Sequence, residues 1–455
     1  MHRTLHAAII GALLLCGFAM HAHAATITVT NTSDSGPGSL RHALATANDG
    51  DTINFAVTGT ITLTSGGLPI NKNITISGPG PDQLSIDGNQ ALLAFGVFPG
   101  RAATISGLTV RNAQSGVLND GTVTVTNCVL SNSYDGLSNY GVAAVSNCVL
   151  TGNLYDGLYS YEGVTTISNS VVSGNVGGGL FNDVYHGPNK PDGYGSMTIA
   201  DSIISDNSGT GVLNYMFTTI LNSTLSGNSA GEALNGGGIS SGTFKTPGGV
   251  TVVNSTISGN SASGGGGGIA IYYGGLTIVN STISGNSAGD VGGGIANYTG
   301  GVQVANSTIS GNSAASGGGI YNVAGQFGGT IETWNTIFNA GTLGGNILNN
   351  GGTVTSRGYN ISSDDGGGLL TGPGDQINTD PLLGPLRDHG GPTLTHLPLR
   401  GSPAIDAGDP NFTPPPFHDQ RGPCFDRVFG GRIDVGSVET QLRPRCVTPA
   451  PRPTP

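Results

Sequence analysis

Apolar and polar positions alternate in short blocks along most of the chain, and the blocks recur at a fixed distance. Between residues 249 and 313 the segments GVTVVNSTISGN, GLTIVNSTISGN and GVQVANSTISGN each precede a glycine tract that ends in GGGI. They begin at Gly249, Gly275 and Gly301, so the period is 26 residues. Short alternating blocks indicate β-strands. A fixed period of this length indicates a solenoid, in which each unit buries its apolar face only against its neighbours.

Alignment of the units from residue 101 onward gives columns, which are positions that carry the same kind of residue in successive units. A first polar column is followed three residues later by an aliphatic column, then by a second polar column and a glycine–aliphatic pair. Three strands per unit in this order predict a parallel β-helix with aliphatic residues in its lumen and glycines at its corners.

Asparagine at one position of every rung predicts a ladder of side-chain amides that satisfies the backbone of the turns. The first polar column carries Asn127, Asn147, Asn169, Asp201, Asn222, Asn254, Asn280, Asn306 and Asn335. The second polar column carries Asn132, Asn153, Asn175, Asn207, Asn228, Asn260, Asn286 and Asn312. We interpret the asparagines as structural residues.

The two ends of the chain differ from the repeat. The first 24 residues combine Arg3, an apolar stretch and an Ala22-His23-Ala24 cleavage motif, which predicts a signal peptide and therefore export. Residues 25–95 predict an N-terminal cap and the first rungs. The cap includes a short helix whose N-cap is Ser39, and this helix would cover the open edge of the first rung.

The regular repeat spans residues 96–370 and then gives way to a segment richer in charge and proline. We assign residues 371–443 to this C-terminal region and predict that it closes the end of the β-helix. Residues 444–455 form a proline-rich tail. No later run approaches the ~18 apolar residues of a membrane helix, so no transmembrane segment is expected beyond the signal peptide.

Composition narrows the expected partners. Charged residues make up only 9% of the chain, glycine accounts for 80 of 455 residues, and the net charge is −11. Nucleic acids and anionic membranes require clustered Lys and Arg, which this chain lacks, so neither is an expected partner. An exported protein rich in Ser, Thr, Asn and Gly is expected to be secreted or attached to a cell surface; the pattern does not predict its oligomeric state.

Four cysteines follow the predicted signal peptide. Cys128 and Cys148 lie two residues before the aliphatic column, so strand alternation directs both toward the lumen, where we expect buried small residues rather than a disulfide or a metal site. Cys424 and Cys446 lie near the C-terminus, and export permits the disulfide that we predict between them.

Two segments carry a resemblance to a known family. DPLLGPLRDHGGPTLTHLPLRGSPAIDAGD with DQRG and GGRIDVGSVE, in residues 380–439, resembles the C-terminal region of choice-of-anchor Q domain proteins. Residues 29–55 resemble the N-terminal segment of the same bacterial exported proteins. The GGGI and STISGN repeats are similar to those of polymorphic outer-membrane proteins and other right-handed parallel β-helices. The resemblance implies a surface-attached or secreted right-handed β-helix.

Two carboxylates stand out because they occupy the same corner of adjacent units. Asp135 lies in Tyr134-Asp135-Gly136, and Asp156 lies in Tyr155-Asp156-Gly157. Adjacent rungs are about 4.8 Å apart, close enough for the carboxylates to share a proton or a calcium ion. Paired carboxylates are the acid–base groups of glycoside hydrolysis. Asp135 and Asp156 are therefore the candidate catalytic residues, and ordinary Asp-Gly turn chemistry is the structural alternative.

Aromatic and basic residues close to this corner predict a sugar-binding surface. Several of them belong to an insertion at residues 183–194, and loops that extend from one edge of a solenoid commonly form its working face. The candidate binding residues are Tyr134, Tyr155, Tyr159, Tyr185, His186, Lys190 and Tyr194. A second tyrosine strip follows the glycine corner in later units at Tyr272, Tyr273, Tyr298 and Tyr321. Its rings are interpreted either as exposed sugar-binding groups or as ordinary strand residues.

The sequence favours a noncatalytic surface or extracellular protein that mediates adhesion or binds a glycan through its loop-bearing edge. A polysaccharide lyase or glycoside hydrolase that uses Asp135 and Asp156 on an acidic polysaccharide is the alternative. A structural spacer is the third hypothesis. The expected partner is a polysaccharide or a cell-surface glycan, and apart from calcium at the two carboxylates no cofactor is expected.

Overall fold

The computed structural model describes residues 24–90, 93–184, 195–231, 235–242, 248–325 and 328–441. Its strands form long, entirely parallel sheets, which confirms the prediction of a right-handed parallel β-helix. The predicted signal peptide, apart from Ala24, and the proline-rich tail lie outside the described residues. Within those residues, no helix is long and apolar enough to cross a membrane.

Each rung contributes one strand to each of three sheets, which we call A, B and C. Sheet A contains β1 (Thr26–Val29), β2 (Thr52–Phe55), β5 (Ile74–Ser77), β8 (Ala102–Ser106), β11 (Thr122–Thr126), β14 (Val142–Ser146), β17 (Val164–Ser168), β20 (Ser196–Ala200), β23 (Phe217–Leu221), β27 (Gly248–Val253), β31 (Gly274–Val279), β35 (Gly301–Ala305), β38 (Thr330–Trp334) and β41 (Thr353–Gly358).

Sheet B contains β3 (Gly59–Thr62), β6 (Leu84–Asp87), β9 (Thr109–Arg111), β12 (Val129–Ser131), β15 (Val149–Thr151), β18 (Val171–Ser173), β21 (Ile203–Ser205), β24 (Thr224–Ser226), β28 (Thr256–Ser258), β32 (Thr282–Ser284), β36 (Thr308–Ser310), β39 (Ile337–Asn339) and β42 (Ile361–Ser362). A short fourth sheet contains β25 (Ser229–Ala230), β29 (Ser261–Ala262) and β33 (Ser287–Ala288).

Sheet C contains β4 (Leu68–Ile70), β7 (Phe95–Val97), β10 (Ser115–Asn119), β13 (Asp135–Asn139), β16 (Asp156–Tyr161), β19 (Gly178–Asp183), β22 (Val212–Asn214), β26 (Ile239–Ser241), β30 (Ile269–Ile271), β34 (Ile295–Asn297), β37 (Ile320–Val323) and β40 (Ile347–Asn350). Inward residues of all three long sheets form one continuous apolar core along the lumen. Burial of each Val, Leu or Ile side chain there contributes about 1.5–3 kcal/mol.

The two polar columns have different physical roles. The first column sits at a turn where the backbone is left-handed, with φ of 52° at Asn127, 50° at Asn222 and 51° at Asn254. Asparagine tolerates this conformation better than most residues. Side-chain bonds within that column join Asn222 to Asp201 at 3.1 Å and Asn254 to Asn222 at 3.2 Å.

The second polar column forms the long amide ladder. From Asn153 to Asn312 its members are fully or almost fully buried, and from Asn153 to Asn286 each Nδ2 donates to the Oδ1 of the asparagine in the next rung. The distances are 2.8 Å for Asn153–Asn175, 2.9 Å for Asn175–Asn207, 2.8 Å for Asn207–Asn228, 2.9 Å for Asn228–Asn260, 3.0 Å for Asn260–Asn286 and 2.9 Å for Asn286–Asn312. The ladder therefore satisfies amides that would be costly to bury alone. Asn132, which we predicted in this column, is instead exposed with a left-handed φ of 52°, and the N–H of the buried Ser133 donates to Asn153 Oδ1 at 3.1 Å.

Cys128 and Cys148 are buried free thiols, as the columns predict. Later rungs place serine at the same position. The Ser255 hydroxyl donates to the Val253 carbonyl at 2.7 Å and accepts from the Ser223 N–H at 3.1 Å. Cys128 and Cys148 follow the same pattern, because the Cys148 thiol lies 3.2 Å from the Ser146 carbonyl. The thiols are part of the lumen packing.

Helix α1 (Leu40–Thr46) covers the first rung. The His42 N–H donates to Ser39 Oγ at 3.2 Å, so Ser39 is the N-cap as predicted. Leu40, Ala43 and Leu44 are buried and belong to the continuous core. The helix thus closes the apolar end of the lumen.

Two different segments cover the C-terminal half. Leu370, which follows a short 3₁₀ turn at Gly366–Gly368, packs against the end of the lumen core. The region that we predicted to close the end of the β-helix lies instead mainly along the outer face of sheet B, because its polar groups bond to the outward threonines and serines of that sheet. Thr256 Oγ1 donates to the Leu394 carbonyl at 2.6 Å, and Thr282 Oγ1 donates to Gln420 Oε1 at 2.6 Å.

Buried charged side chains make hydrogen bonds and an ion pair within this C-terminal segment. Arg421 Nη2 lies 2.6 Å from Asp419 Oδ2, and the Arg421 guanidinium stacks over the Phe425 ring at 3.8 Å. Arg427 is completely buried and donates to the Asp434 and Gly436 carbonyls, each at 2.8 Å.

Cys424 is disulfide-bonded. Its predicted partner, Cys446, lies outside the described residues, so this pairing stays a prediction.

Substitution of Asn260 by Ala tests the amide ladder. The change removes the acceptor of the Asn228 backbone and side-chain amides, which bond to Asn260 Oδ1 at 3.0 and 2.9 Å. Buried donors without partners cost about 1–3 kcal/mol each, so we expect a loss of about 2–4 kcal/mol in urea unfolding. Gln303→Ala, which removes an exposed amide, is the control and should cost less than about 0.5 kcal/mol. Equal losses for the two variants would contradict the role of the ladder.

Candidate functional site

The candidate site lies on the outer face of sheet C, where two adjacent strands begin with aspartate. Asp135 is the first residue of β13 and Asp156 is the first residue of β16. Leu137 pairs with Leu158 two residues later, so the two aspartates occupy the same position of neighbouring rungs. Both leucines are fully buried in the lumen.

The two carboxyl groups have unequal surroundings. Asp135 accepts hydrogen bonds from the Asp156 backbone N–H at 3.3 Å and from Ser138 Oγ at 3.1 Å. Burial raises the pKa of Asp135, and these two donors partly offset the rise. Asp156 is only 5% exposed, and its Oδ2 has no hydrogen-bond partner among the described residues. Burial, followed by the charge of Asp135, raises the pKa of Asp156 to about 7.

The tyrosines that precede the two aspartates form an exposed stack. The rings of Tyr134 and Tyr155 have centroids 5.2 Å apart and planes only 4° from parallel. They remain 50% and 46% exposed, respectively. A rigid aromatic surface of this kind, with one face open to solvent, is suited to contact with the apolar face of a sugar ring.

A cavity of about 620 Å³ opens beside Asp156. Its volume lies within the usual range for a ligand site, roughly 300–1,000 Å³. Its described lining residues are Tyr155, Asp156, Gly177, Gly178, Leu180, Phe181, Thr210, Leu213, Tyr215, Asn235, Ser240, Gly242, Tyr272 and Tyr273. Aromatic rings and one carboxyl therefore dominate the described wall.

Two glycines make room for this cavity. Gly178 pairs with Asp156 in the next rung, and a Cβ atom at Gly178 would lie 3.0 Å from Asp156 Oδ1. Gly242 has a φ of +83°, and a Cβ atom there would lie 2.1 Å from the Tyr273 carbonyl. Glycine at both positions leaves the space beside Asp156 and between the neighbouring tyrosines open.

Several lining residues belong to a column that we did not identify in the sequence. Sheet C has its own amide ladder, in which Asn182 Nδ2 donates to Asn214 Oδ1 at 3.0 Å. The position directly after this ladder is aromatic in several rungs. The column contains Tyr140, Tyr161, Asp183, Tyr215, Gly242, Tyr272 and Tyr298. An alignment of this position across the rungs would have predicted Tyr215 as a site residue and placed Tyr272 in the same column.

The far wall of the cavity is held by hydrogen bonds and stacking. Asn235 Nδ2 donates to the Tyr272 hydroxyl, and Asn235 Oδ1 accepts from the Gly265 N–H. Tyr272 stacks on Tyr298 with centroids 5.0 Å apart and planes 16° from parallel. The tyrosine strip with two open interpretations consists of Tyr272, Tyr273, Tyr298 and Tyr321. The structure places Tyr272 and Tyr273 in the wall of the cavity.

The remaining predicted binding residues are distributed unevenly. Tyr159 lies beside the cavity, where its hydroxyl donates to Asp183 Oδ2 at 2.8 Å and its ring packs edge-on against Phe181 at 5.3 Å. Burial, together with this bond and the charge of Asp183, raises the pKa of Tyr159. Tyr185, His186, Lys190 and Tyr194 lie outside the described residues.

The described residues do not favour a metal centre at this site. No group of three or more His, Cys, Asp or Glu side chains among them is arranged to hold a metal ion. Calcium takes six to eight oxygen ligands. Asp135 and Asp156 supply only carboxylate oxygens that are buried or already bonded, and the rest of the described wall is largely aromatic or glycine.

Comparisons with known proteins establish the fold. The A-module of the Azotobacter vinelandii mannuronan C-5 epimerase AlgE6 matches 71% of this chain and 96% of its own, with a TM-score of 0.54 and 15% identity. Pectate lyase Pel9A matches 92% of this chain and 96% of its own at a TM-score of 0.42 and 14% identity.

The Agl-KA catalytic domain gives a TM-score of 0.49 at 16% identity over 69% of this chain, which spans 64% of that domain. No family model and no curated protein matches the chain. The match to the AlgE6 A-module, with a TM-score of 0.54 at 15% identity, shows the fold alone, so the activity is argued from the site.

The pH dependence of stability tests the environment of Asp156. Its pKa rises from 3.8 to about 7 on folding, so the folded chain holds this proton more tightly than the unfolded chain. The resulting contribution to the free energy of unfolding is fully present below about pH 4 and is lost as the pH rises through about 7. The full loss is about 4 kcal/mol at most. Asp156→Asn has no carboxyl to ionise, so its stability should fall less between about pH 5 and about pH 8.

The measurement is urea unfolding of both proteins at the two pH values. Asp290→Asn, at an exposed position, should keep the wild-type pH dependence. Identical pH profiles for wild type and Asp156→Asn would show that Asp156 ionises normally.

Proposed function

We propose that this protein binds a glycan, without chemically changing it, in the aromatic cavity beside Asp156 on the outer face of sheet C. The observation that carries the proposal is the convergence of Tyr155, Phe181, Tyr215 and Tyr272 on a cavity of about 620 Å³ that also contains a buried carboxyl. Sugars combine apolar ring faces with hydroxyl donors, so aromatic walls and a carboxyl suit them.

The wider setting of the proposal rests on the sequence. We infer that the protein is exported, that it resembles choice-of-anchor Q domain proteins, and that it acts at a cell surface or in the extracellular space as an adhesin-like binder. The exposed Tyr134–Tyr155 stack adjoins the cavity and extends the surface available to a polymer. The epimerase of similar fold is named for its action on mannuronan, which offers a precedent for a polysaccharide ligand.

Catalysis is the second candidate, and one observation favours it. Asp135 and Asp156 have different surroundings: two hydrogen-bond donors offset part of the rise in the pKa of Asp135, whereas burial and the charge of Asp135 raise the pKa of Asp156 to about 7. Such a pair is the arrangement used for acid–base cleavage of a glycosidic bond. A lyase or hydrolase that works on an acidic polysaccharide, with or without calcium, therefore stays an alternative.

Loss of one aromatic wall should weaken glycan binding. We expect Tyr155→Ala and Tyr215→Ala each to lower the affinity for a retained glycan by about tenfold, because each removes a ring face worth about 1.5 kcal/mol. The ligand is first identified on a glycan array, and affinities are then measured by calorimetry. Tyr321→Ala is the control, because Tyr321 lies on sheet C away from the described wall. Equal affinity for all three variants would contradict the proposed site.

Turnover assays separate binding from catalysis. We expect neither new reducing ends nor unsaturated uronate absorbance when the protein is incubated with a polysaccharide panel, with calcium or with a chelator. Product that forms with wild type and disappears in both Asp135→Asn and Asp156→Asn would replace the binding proposal with the enzyme alternative. A protein that neither binds nor cleaves any member of the panel would favour the spacer hypothesis.

A further inference from the structure

The charge of the cavity limits the glycans that can enter it. Asp156 lines the cavity, and Asp135 lies in the neighbouring rung. The pKa of Tyr215 is raised by burial and, to a smaller extent, by the negative charge of Asp183, so this charge lies near the same wall. The described lining residues include no Lys, Arg or His. A polyuronate would bring more negative charge to this surface, so like-charge repulsion disfavours it.

The unequal bonding of the carboxyl groups indicates what is missing. Asp183 is satisfied, because it accepts from the Tyr159 hydroxyl at 2.8 Å and from the Val184 N–H at 2.7 Å. Asp135 is also satisfied by two donors. Asp156 is only 5% exposed, its Oδ2 has no hydrogen-bond partner among the described residues, and its Oδ1 lies 3.0 Å from the position that a Cβ atom at Gly178 would occupy. A ligand group that enters beside Gly178 would supply a donor to this carboxyl.

An ammonium group meets these conditions better than the alternatives. It carries a positive charge, which is opposite to that of ionised carboxyl groups. Unlike calcium, it needs few oxygen ligands. The surrounding rings of Tyr155, Tyr215 and Tyr272 add to its stabilisation, because a cation is attracted to aromatic faces. A sugar hydroxyl supplies a donor without the charge.

We propose that the cavity beside Asp156 selects glycans whose sugars carry a protonated amine, such as polymers that contain glucosamine with a free amino group. The inference rests on the proposed glycan-binding function and defines its ligand class. The amine pairs with the Asp156 carboxylate beside Gly178, and the pyranose rings lie against the tyrosine walls. N-acetylation removes the charge and the pairing.

Titration calorimetry with three short oligosaccharides tests the inference. The probes are a β-linked glucosamine oligomer, its fully N-acetylated counterpart and a uronate oligomer. We expect the glucosamine oligomer to bind about tenfold more tightly than the N-acetylated one and the uronate oligomer to bind most weakly. Oligolysine, which has the charge without the pyranose rings, should bind no better than the uronate; binding equal to that of the glucosamine oligomer would overturn the selection of a glycan.

Two variants locate the selectivity. Asp156→Asn should abolish most of the preference for the amine while it preserves affinity for the N-acetylated oligomer, and Asp82→Asn, at an exposed position in the N-terminal rungs, should leave both affinities unchanged. Gly178→Ala serves as the second variant if Asp156→Asn does not fold, because its Cβ would crowd Asp156 Oδ1 without a change in charge. It should likewise reduce the preference.

The outcomes distinguish the inference from the function on which it rests. Tight binding of the N-acetylated oligomer with no preference for the amine would overturn the inference and leave glycan binding intact. Binding of the uronate oligomer above both others would overturn it as well. Failure of every oligosaccharide to bind would overturn the proposed function itself.

Discussion

Hydrogen bonds between successive rungs set the spacing on which the rest of the structure depends. Every backbone position stacks on its equivalent about 4.8 Å away, so any residue type that repeats becomes a column. Amides at this spacing bond to one another, as in the 2.9 Å contact of Asn228 with Asn260. Rings at this spacing stack, as in Tyr134 and Tyr155. Carboxyl groups at this spacing repel, and this repulsion adds to burial in raising the pKa of Asp156.

Asp34, a partly buried carboxyl elsewhere in the chain, differs from Asp156 in its hydrogen bonding. Asp34 is stabilised by Arg41 at 2.7 Å and by the Ser65 and Thr64 backbone N–H groups at 2.9 and 3.1 Å. Although burial opposes the change, these contacts lower the pKa of Asp34. The fold surrounds the Asp34 carboxylate with hydrogen-bond donors, whereas Oδ2 of Asp156, beside the cavity, has no partner among the described residues. The difference supports a ligand-directed role for Asp156.

The lumen and the capping helix could be predicted from the sequence because they depend on local periodicity. Leu40, Ala43 and Leu44 occupy one face of a short helix, and each aliphatic column points inward by strand alternation. The position of residues 371–441 could not be predicted, since Gln420 meets Thr282 through a contact 138 residues apart in sequence. The cavity was also hidden. It depends on the absence of side chains at Gly178 and Gly242, and neither residue belongs to the glycine–aliphatic pair that recurs in the repeat.

The C-terminal segment alters the cooperativity expected of a solenoid, whose rungs are otherwise coupled only to their nearest neighbours. Its hydrogen bonds reach the Asn254 carbonyl through Thr393 at 3.3 Å and Asn335 Oδ1 through the Asp409 N–H at 2.8 Å. A rung between these two points can therefore open separately only after the hydrogen bonds to the C-terminal segment have broken. The rungs that carry Asp135 and Asp156 precede these attachments. We therefore expect single rungs to open more readily in the half of the molecule that carries the proposed glycan site.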